Sequence, residues 1–220
     1  MITTLLPILE SCSRKLKESM TDVSTLRVGY GNDSCRNLLS LFKFGWSKKK
    51  YDLVISVGTQ EYDLTSVLTD YSPIRGIYEV YVGGDKIDSL PYNNIDSVSG
   101  STSQYFYLKP DDKTIGFTLT LDGTEDIEIW YYAEWVNATS SATTLNISIP
   151  DSFTEALALY MKYLVHDGRR QRYDARNALL DFRQQIDTLI PQQGSSKIKD
   201  QPRRVFNFFS YLGFKRTYKV

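Results

Sequence analysis

The chain has 220 residues, with 26 Lys/Arg against 26 Asp/Glu, one histidine and two cysteines. Balanced charge removes any whole-chain case for nucleic-acid binding, one histidine is too few for a histidine-built metal cluster, and two cysteines without CxxC spacing make neither a zinc module nor a disulfide scaffold. Apolar content of 41% suffices for a core, and the aromatic share of 13%, led by sixteen tyrosines, suits β-sheet and contact surfaces.

Charge is segregated along the chain. Residues 1–50 carry nine basic and four acidic side chains (+5), 51–150 carry four and fifteen (−11), and 151–220 carry thirteen and seven (+6). Such segments either attract one another within one monomer or stack against partners. The opening MITTLLPILESCSRKL lacks the basic start and apolar length of a signal peptide. No stretch approaches a membrane span. The expectation is a protein without a membrane, with Cys12 and Cys35 as free thiols in a reducing compartment and the sequons at Asn137 and Asn146 as chance matches.

In chain order, Leu5, Ile8, Leu9, Cys12 and Leu16 recur at helical spacing and predict a helix over 5–20. TLRVGYGND reads as a glycine-bearing loop, with Asp33 or Ser34 capping a second helix through CRNLLSLFKFGW that closes at Ser47–Lys50. From Tyr51 the period becomes two. YDLVISV and EYDL predict two short strands around GTQ, and IRGIYEVYVGGDKID predicts a hairpin turning at Gly83-Gly84. In SQYFYLKPDDKTIGFTLTLDGTEDIEIWYYAEW, Ile115, Phe117, Leu119 and Leu121 alternate with polar residues, DGTED turns the chain, and Ile127, Ile129, Tyr131, Ala133 and Trp135 alternate on the return. LNISI predicts a last strand. Six to eight antiparallel strands make a small sandwich or barrel.

Pro150 stops the sheet, and Ser152 with Glu155 has capping-box spacing. Phe153, Ala156, Leu157, Tyr160, Leu164, Gly168, Ala175, Leu179, Phe182, Ile186 and Leu189 step mostly by three or four. That stripe predicts one long helix or two nearly coaxial ones, with Gly168 as a candidate bend. Pro191 ends it, QQGSSKIKDQP is a polar linker, and RRVFNFFSYLGFKRTYKV holds six aromatics, five cations and no acid. The fold class is therefore α+β. A helical base, built of residues 1–50 and the long helix over 150–190, carries an inserted antiparallel β domain over 51–149 and an extended tail over 191–220.

Little here suggests catalysis. His166 lies inside the long helix, where a structural or surface role is the simpler reading. Asp111-Asp112 and Asp122, Glu125 and Asp126 fall in hairpin turns, which favour Asp for backbone reasons. VGGDK lacks phosphate-loop spacing and GYGND is only a loop. The aromatic strands would suit a sugar-binding face, but alternation on both faces fits one core face and one contact face better. No cofactor and no catalytic residue is assigned.

The order of VGTQEYDL, IRGIYEVYVGGDKI, QYFYLKPDD, IEIWYYAEW and ISIPDSFTEAL resembles the head-to-tail adaptor (connector) proteins of tailed bacteriophages. Gly58, Tyr62, Asp63 and Leu64 match a G-x-x-x-Y-D-L-P element, with Thr65 in place of its proline. Leu108, Pro110, Asp111 and Asp112 match a proline-and-acidic turn, Tyr131 and Tyr132 a tyrosine strand, and Pro150-Asp151 the opening of the last helix. Asp174-Ala175 in that helix is also typical, and the resemblance spans about residues 34–190.

The resemblance implies a structural virion protein of the neck, assembled in the host cytoplasm, and not an enzyme. Copies would form a ring, usually dodecameric, below the portal protein, extend the DNA channel and carry the next neck or tail protein. Genomic DNA would pass without sequence-specific binding. Another tail or baseplate ring or stopper protein is the alternative, and a carbohydrate-binding β domain a more distant one. The contacts to portal or neighbouring copies would fall on Arg169, Arg170, Arg172 and Arg176, and in the tail on Arg203, Arg204, Phe206, Phe208, Phe209, Tyr211, Phe214, Lys215, Arg216 and Tyr218.

Overall fold

The computed structural model describes residues 1–18, 25–73, 76–98, 103–118, 121 and 123–192; the tail residues named above lie outside them. The class is α+β. Helices α1 (Leu6–Leu16), α2 (Thr25–Leu41), α4 (Thr154–Gly168) and α5 (Arg172–Gln192) form the base, with α4 packed against the other three. Seven strands form the β part: β1 (Lys48–Leu53), β2 (Glu61–Asp63), β3 (Ile77–Val82), β4 (Asp85–Ser89), β5 (Tyr105–Leu108), β6 (Thr114–Phe117) and β7 (Ile127–Tyr132). One hydrophobic core, from Leu5 and Leu38 through Phe153 to Ile129 and Ile115, joins helices and sheet.

The predicted glycine loop is helix. Gly29 and Gly31 both lie inside α2, although each glycine in a helix interior costs about 0.5–1 kcal/mol against alanine. Packing outweighs propensity here. At Gly31 a Cβ would sit 3.4 Å from a Leu5 methyl, so the missing side chain lets α2 close on α1. Asp33 and Ser34 are therefore not caps. Asp33 pairs with Arg36, and buried Ser34 donates to the Leu157 carbonyl of α4 at 2.8 Å. The helix ends at Leu41, so Lys48–Lys50 belong to β1 instead of closing it.

The strands run in the order β1-β7-β3-β4-β5-β6-β2. The turn at Gly83-Gly84 is as predicted, both glycines holding positive φ (58° and 87°), as a two-residue type I′ hairpin turn requires. Two expected neighbours are not paired. β1 lies against β7 and β2 against β6, so the two segments flanking GTQ become opposite edges of one sheet. A flat sheet of seven strands would hold those edges roughly 29 Å apart, and residues 54–60 reach about 27 Å only when fully extended. Because that loop also turns, the sheet curls into a half-barrel. The sheet is mixed, not wholly antiparallel: β4 and β5 pair in parallel at Asp88–Tyr105 and Ser89–Phe106. LNISI forms no strand. Leu145, Ile147 and Ile149 point inward as their alternation suggested, but only Ile149 bridges, to Ile2.

The long C-terminal helix is two helices that fold back on each other, neither continuous nor coaxial. α4 and α5 pack side by side, with the Tyr160 and Phe182 rings 5.0 Å apart. The reversal is a Schellman turn: Gln171 N–H donates to the His166 carbonyl, Arg170 N–H donates to that of Asp167, and Arg170 sits in the left-handed region at φ 59°. Gly168 ends α4, and the Tyr30 hydroxyl lies 2.7 Å from where a Cβ would be. The stripe from Phe153 to Leu189 faces the core on both arms of this hairpin, which is why its register survives the turn. The predicted capping box is not made, because Glu155 instead pairs with Lys15 and accepts from Ser11 of α1 at 2.8 Å. Thr154 Oγ1 donates to the Asp151 carbonyl at 2.7 Å in the opening turn.

Candidate functional site: a stapled loop and a cationic helix corner

Most of the motif residues in the β part take part in hydrogen bonds that tie loops and strands of the half-barrel, with a Tyr71–Tyr131 ring contact between two of the groups. Gly58, at φ 75°, turns the β1–β2 loop and donates to the Leu121 carbonyl. The Tyr62 hydroxyl lies inside that loop, accepting from Ser56 N–H at 3.2 Å and donating to the Thr59 carbonyl at 3.0 Å. Asp63 caps the four-residue helix α3 (Leu64–Val67), accepting from Thr65 N–H at 2.8 Å and from its hydroxyl at 2.7 Å. Thr65, standing where the adaptor pattern has proline, thus uses the N–H that proline lacks.

Leu64 is fully buried, and its N–H donates to the Lys113 carbonyl at 2.8 Å. This ties α3 to the Pro110–Lys113 turn, where Asp111 accepts from Lys113 N–H at 3.0 Å. Tyr71 donates to the Asp112 carbonyl at 2.7 Å and sets its ring edge against Tyr131. Burial, followed by the nearby Asp112 and Asp111, pushes the Tyr71 hydroxyl up to about 12. Tyr131 in turn donates to Asp70 at 2.7 Å, and Lys49 and Asn146 complete the shell of that carboxylate. Burial would raise Asp70, but the three donors outweigh it and hold the carboxyl below its ordinary range. These residues position the loop and strands; their geometry gathers no reacting group.

The outer face of the sheet carries half-buried Tyr78, Trp130 and Tyr132. Lys48 Nζ stands 3.1 Å from the Tyr78 ring centroid, and Lys43 lies 5.6 Å from that of Tyr132, cation–π contacts that cover the aromatics. The inward residues Ile127, Ile129, Tyr131, Ala133 and Trp135 are all buried, as their alternation predicted.

The four candidate arginines lie at the α4–α5 reversal, and all are exposed. They are not equivalent. Arg169 pairs with Glu18, which also receives Arg27, so one carboxylate joins the ends of α1, α2 and α4. The hydrogen bond from Arg169, and then the field of both guanidiniums, holds Glu18 below its ordinary range. Among the described residues Arg170, Arg172 and Arg176 have no ion-pair partner. His166 accompanies this corner, its Nδ1 2.6 Å from Gln171 Oε1. Cys12 and Cys35 are buried free thiols; burial pushes Cys12 up to about 11 and Cys35 well above the thiol range. Among the described residues no three His, Cys, Asp or Glu side chains gather as a metal site, and no helix is long and apolar enough to cross a membrane.

Sequence reasoning missed Glu18, Asn32 and Asp70. Asn32 is buried inside the segment expected to be a loop and binds Trp135 and Ala138 through three hydrogen bonds. No periodicity marks such residues, because each owes its role to partners distant in sequence.

The described residues thus form a helical base joined to a stapled half-barrel, with three exposed arginines at the α4–α5 reversal. The family model described as SU10 adaptor protein matches residues 3–205, and the chain belongs to that family of phage head-to-tail adaptors, whose role is structural. No curated protein matches the chain. Membership implies association with other phage head and tail proteins.

Proposed function

We propose that this chain is the head-to-tail adaptor that forms a ring of copies below the portal protein in the virion neck, extends the DNA channel and offers a platform to the next neck or tail protein. The family match over 203 residues, 3 through 205, carries this reading. The segregation of charge supports it, since a +5 and a +6 flank around a −11 middle provide opposite-sign surfaces for stacking copies and partners. In this arrangement the parts over 1–50 and 150–190 make the ring and portal contacts and the β part over 51–149 projects from them. Arg169, through its ion pair with Glu18, holds the corner that presents Arg170, Arg172 and Arg176. The basic aromatic segment over 203–220 is an arm to the portal or a neighbour. DNA passes through the ring without sequence-specific contact.

Particle imaging of the purified chain mixed with its portal protein tests the proposal. A symmetric ring below the portal is the expected result. A portal that stays bare, while the chain instead decorates isolated tails, would assign it to a tail-side ring or stopper.

A further inference from the structure

The most exposed large apolar side chains of the described residues fall in two places. Val54 is 80% and Val57 78% exposed, both on the β1–β2 loop. That loop is held, not loose: Tyr62 binds two of its backbone groups, Gly58 donates to Leu121, and Gly123 gives way to the Val57 side chain. Exposed carboxylates rim it, with Asp52 before it, Glu61 after it and Asp126 in the turn behind. At the other place Tyr173 is 77% and Leu26 62% exposed. Leu26 lies in the first turn of α2 and Tyr173 in the first turn of α5, next in sequence to Arg172 and three residues before Arg176. Carboxylates are in excess at the first place, where Lys50 pairs with Asp52 and Lys109 with Glu61 while Asp126 is exposed beside them; arginines are in excess at the second, where Asp167 and Asp174 are the exposed acids.

The two places lie at the far ends of elements that leave one junction, where Phe44 and Trp46 pack on Phe153. β1 runs from it for six residues to the valine loop, and α4 runs from it for fifteen to the arginine corner. No hydrogen bond or ion pair among the described residues joins the two. Among the described residues this preordered apolar tip stays exposed, which makes it a contact surface, and its excess of carboxylates selects a basic seat.

We infer that the valine loop of one copy seats on the arginine corner of a second copy of this chain. The contact joins two different surfaces, so it repeats from copy to copy and closes a ring when the rotation permits. Tyr62, Gly58 and Gly123 then act as positioning residues that hold the tip in shape for the neighbour. The inference rests on the ring reading above and assigns it its two faces.

Two chains, each with one added cysteine, Val57→Cys and Tyr173→Cys, test it, mixed, assembled with portal protein and oxidised. Both native thiols are buried and leave the new ones to react. The mixture gives a disulfide-linked pair on a non-reducing gel, and neither chain alone does so. Cross-linking by Val57→Cys alone, or rings from the mixture without cross-links, would overturn this contact while leaving the adaptor reading in place. Wild-type chain that makes no ring on the portal overturns the adaptor reading and this contact with it. Arg172→Glu with Arg176→Glu lowers ring yield about tenfold or more through like-charge juxtaposition. Adding Asp52→Lys and Asp126→Lys in the same chain restores it. Unchanged yield in the arginine double variant, or no restoration, speaks against the pairing.

Discussion

Asn32→Ala is expected to be among the most destabilising single changes in the helical base. The Asn32 amide donates to the Ala138 carbonyl at 2.9 Å, and its oxygen accepts from Trp135 Nε1 at 3.1 Å and from Ala138 N–H at 2.8 Å. All three residues are 6% exposed, so truncation strands three buried polar groups. At about 1–3 kcal/mol for each stranded group the loss is about 3–5 kcal/mol, the lower part of the sum because a carboxamide-sized hole admits water. Urea denaturation followed by circular dichroism measures it, with an unchanged slope showing that the unfolded state is the same.

Asn32→Asp sharpens the test. It keeps the acceptor for Trp135 and Ala138 N–H but turns a carboxylate oxygen toward the Ala138 carbonyl. Burial and that repulsion raise the folded-state pKa of the new side chain above its unfolded value of about 3.9. The neutral form, which donates to Ala138, therefore contributes stability that is present below about pH 3.9 and lost as pH rises through the folded value. The gap between Asn32→Asp and wild type should be widest at pH 7 and shrink toward pH 4. An Asn32→Ala protein within 1 kcal/mol of wild type, taking 1 kcal/mol as about the worth of one hydrogen bond, or an aspartate variant with a gap independent of pH, would refute the assignment.

Three further outcomes follow from local geometry. Arg170→Gly should stabilise the chain by about 0.5–1 kcal/mol, because a left-handed Arg costs about 1–2 kcal/mol and glycine returns part of that as unfolded-state entropy; a rise in thermal midpoint checks it. Tyr62→Phe should cost about 1–2 kcal/mol and speed hydrogen exchange at the Ser56 amide, leaving that of Ile129 protected; equal protection at Ser56 in both proteins would show that the hydroxyl does not hold the loop. Asp70→Asn should cost about 1–3 kcal/mol at neutral pH. Since the Asp70 pKa is depressed in the fold, its contribution is present above 3.8 and lost as pH falls through the folded value, so the gap to wild type should narrow in acid titration.

What the sequence conveyed well was alternation and stripe. Ile127 through Trp135 and Phe153 through Leu189 were legible because burial repeats with the period of the backbone. Pairing was not legible. YDLVISV and EYDL are separated by a turn-like GTQ, yet each finds its partner elsewhere, β1 at residues 127–132 and β2 at 114–116. The α4–α5 reversal was hidden because its left-handed residue is Arg170 and not a glycine, and an antiparallel hairpin keeps the same inward stripe as a straight rod. TLRVGYGND looked like a loop because Gly29 and Gly31 are poor helix formers; the closeness of Leu5 and Leu9 explains Gly31 in α2, whereas a Cβ at Gly29 would meet nothing within 4 Å. Of the candidate interface, the arginines were visible as a cluster. Which of them Glu18 holds depended on a contact 151 positions away.

The sheet order also bears on how the chain is made. β1 leaves the ribosome with its neighbour β7 still about 74 residues from synthesis, a wait of roughly 4–15 s at cellular elongation rates. During that interval the strand has both edges bare, followed directly by the apolar Val54-Ile55. Three consecutive lysines, Lys48 to Lys50, begin it. In the folded protein they pair with carboxylates and cover an aromatic ring; in the nascent chain their mutual repulsion keeps unfinished copies on neighbouring ribosomes from joining edge to edge.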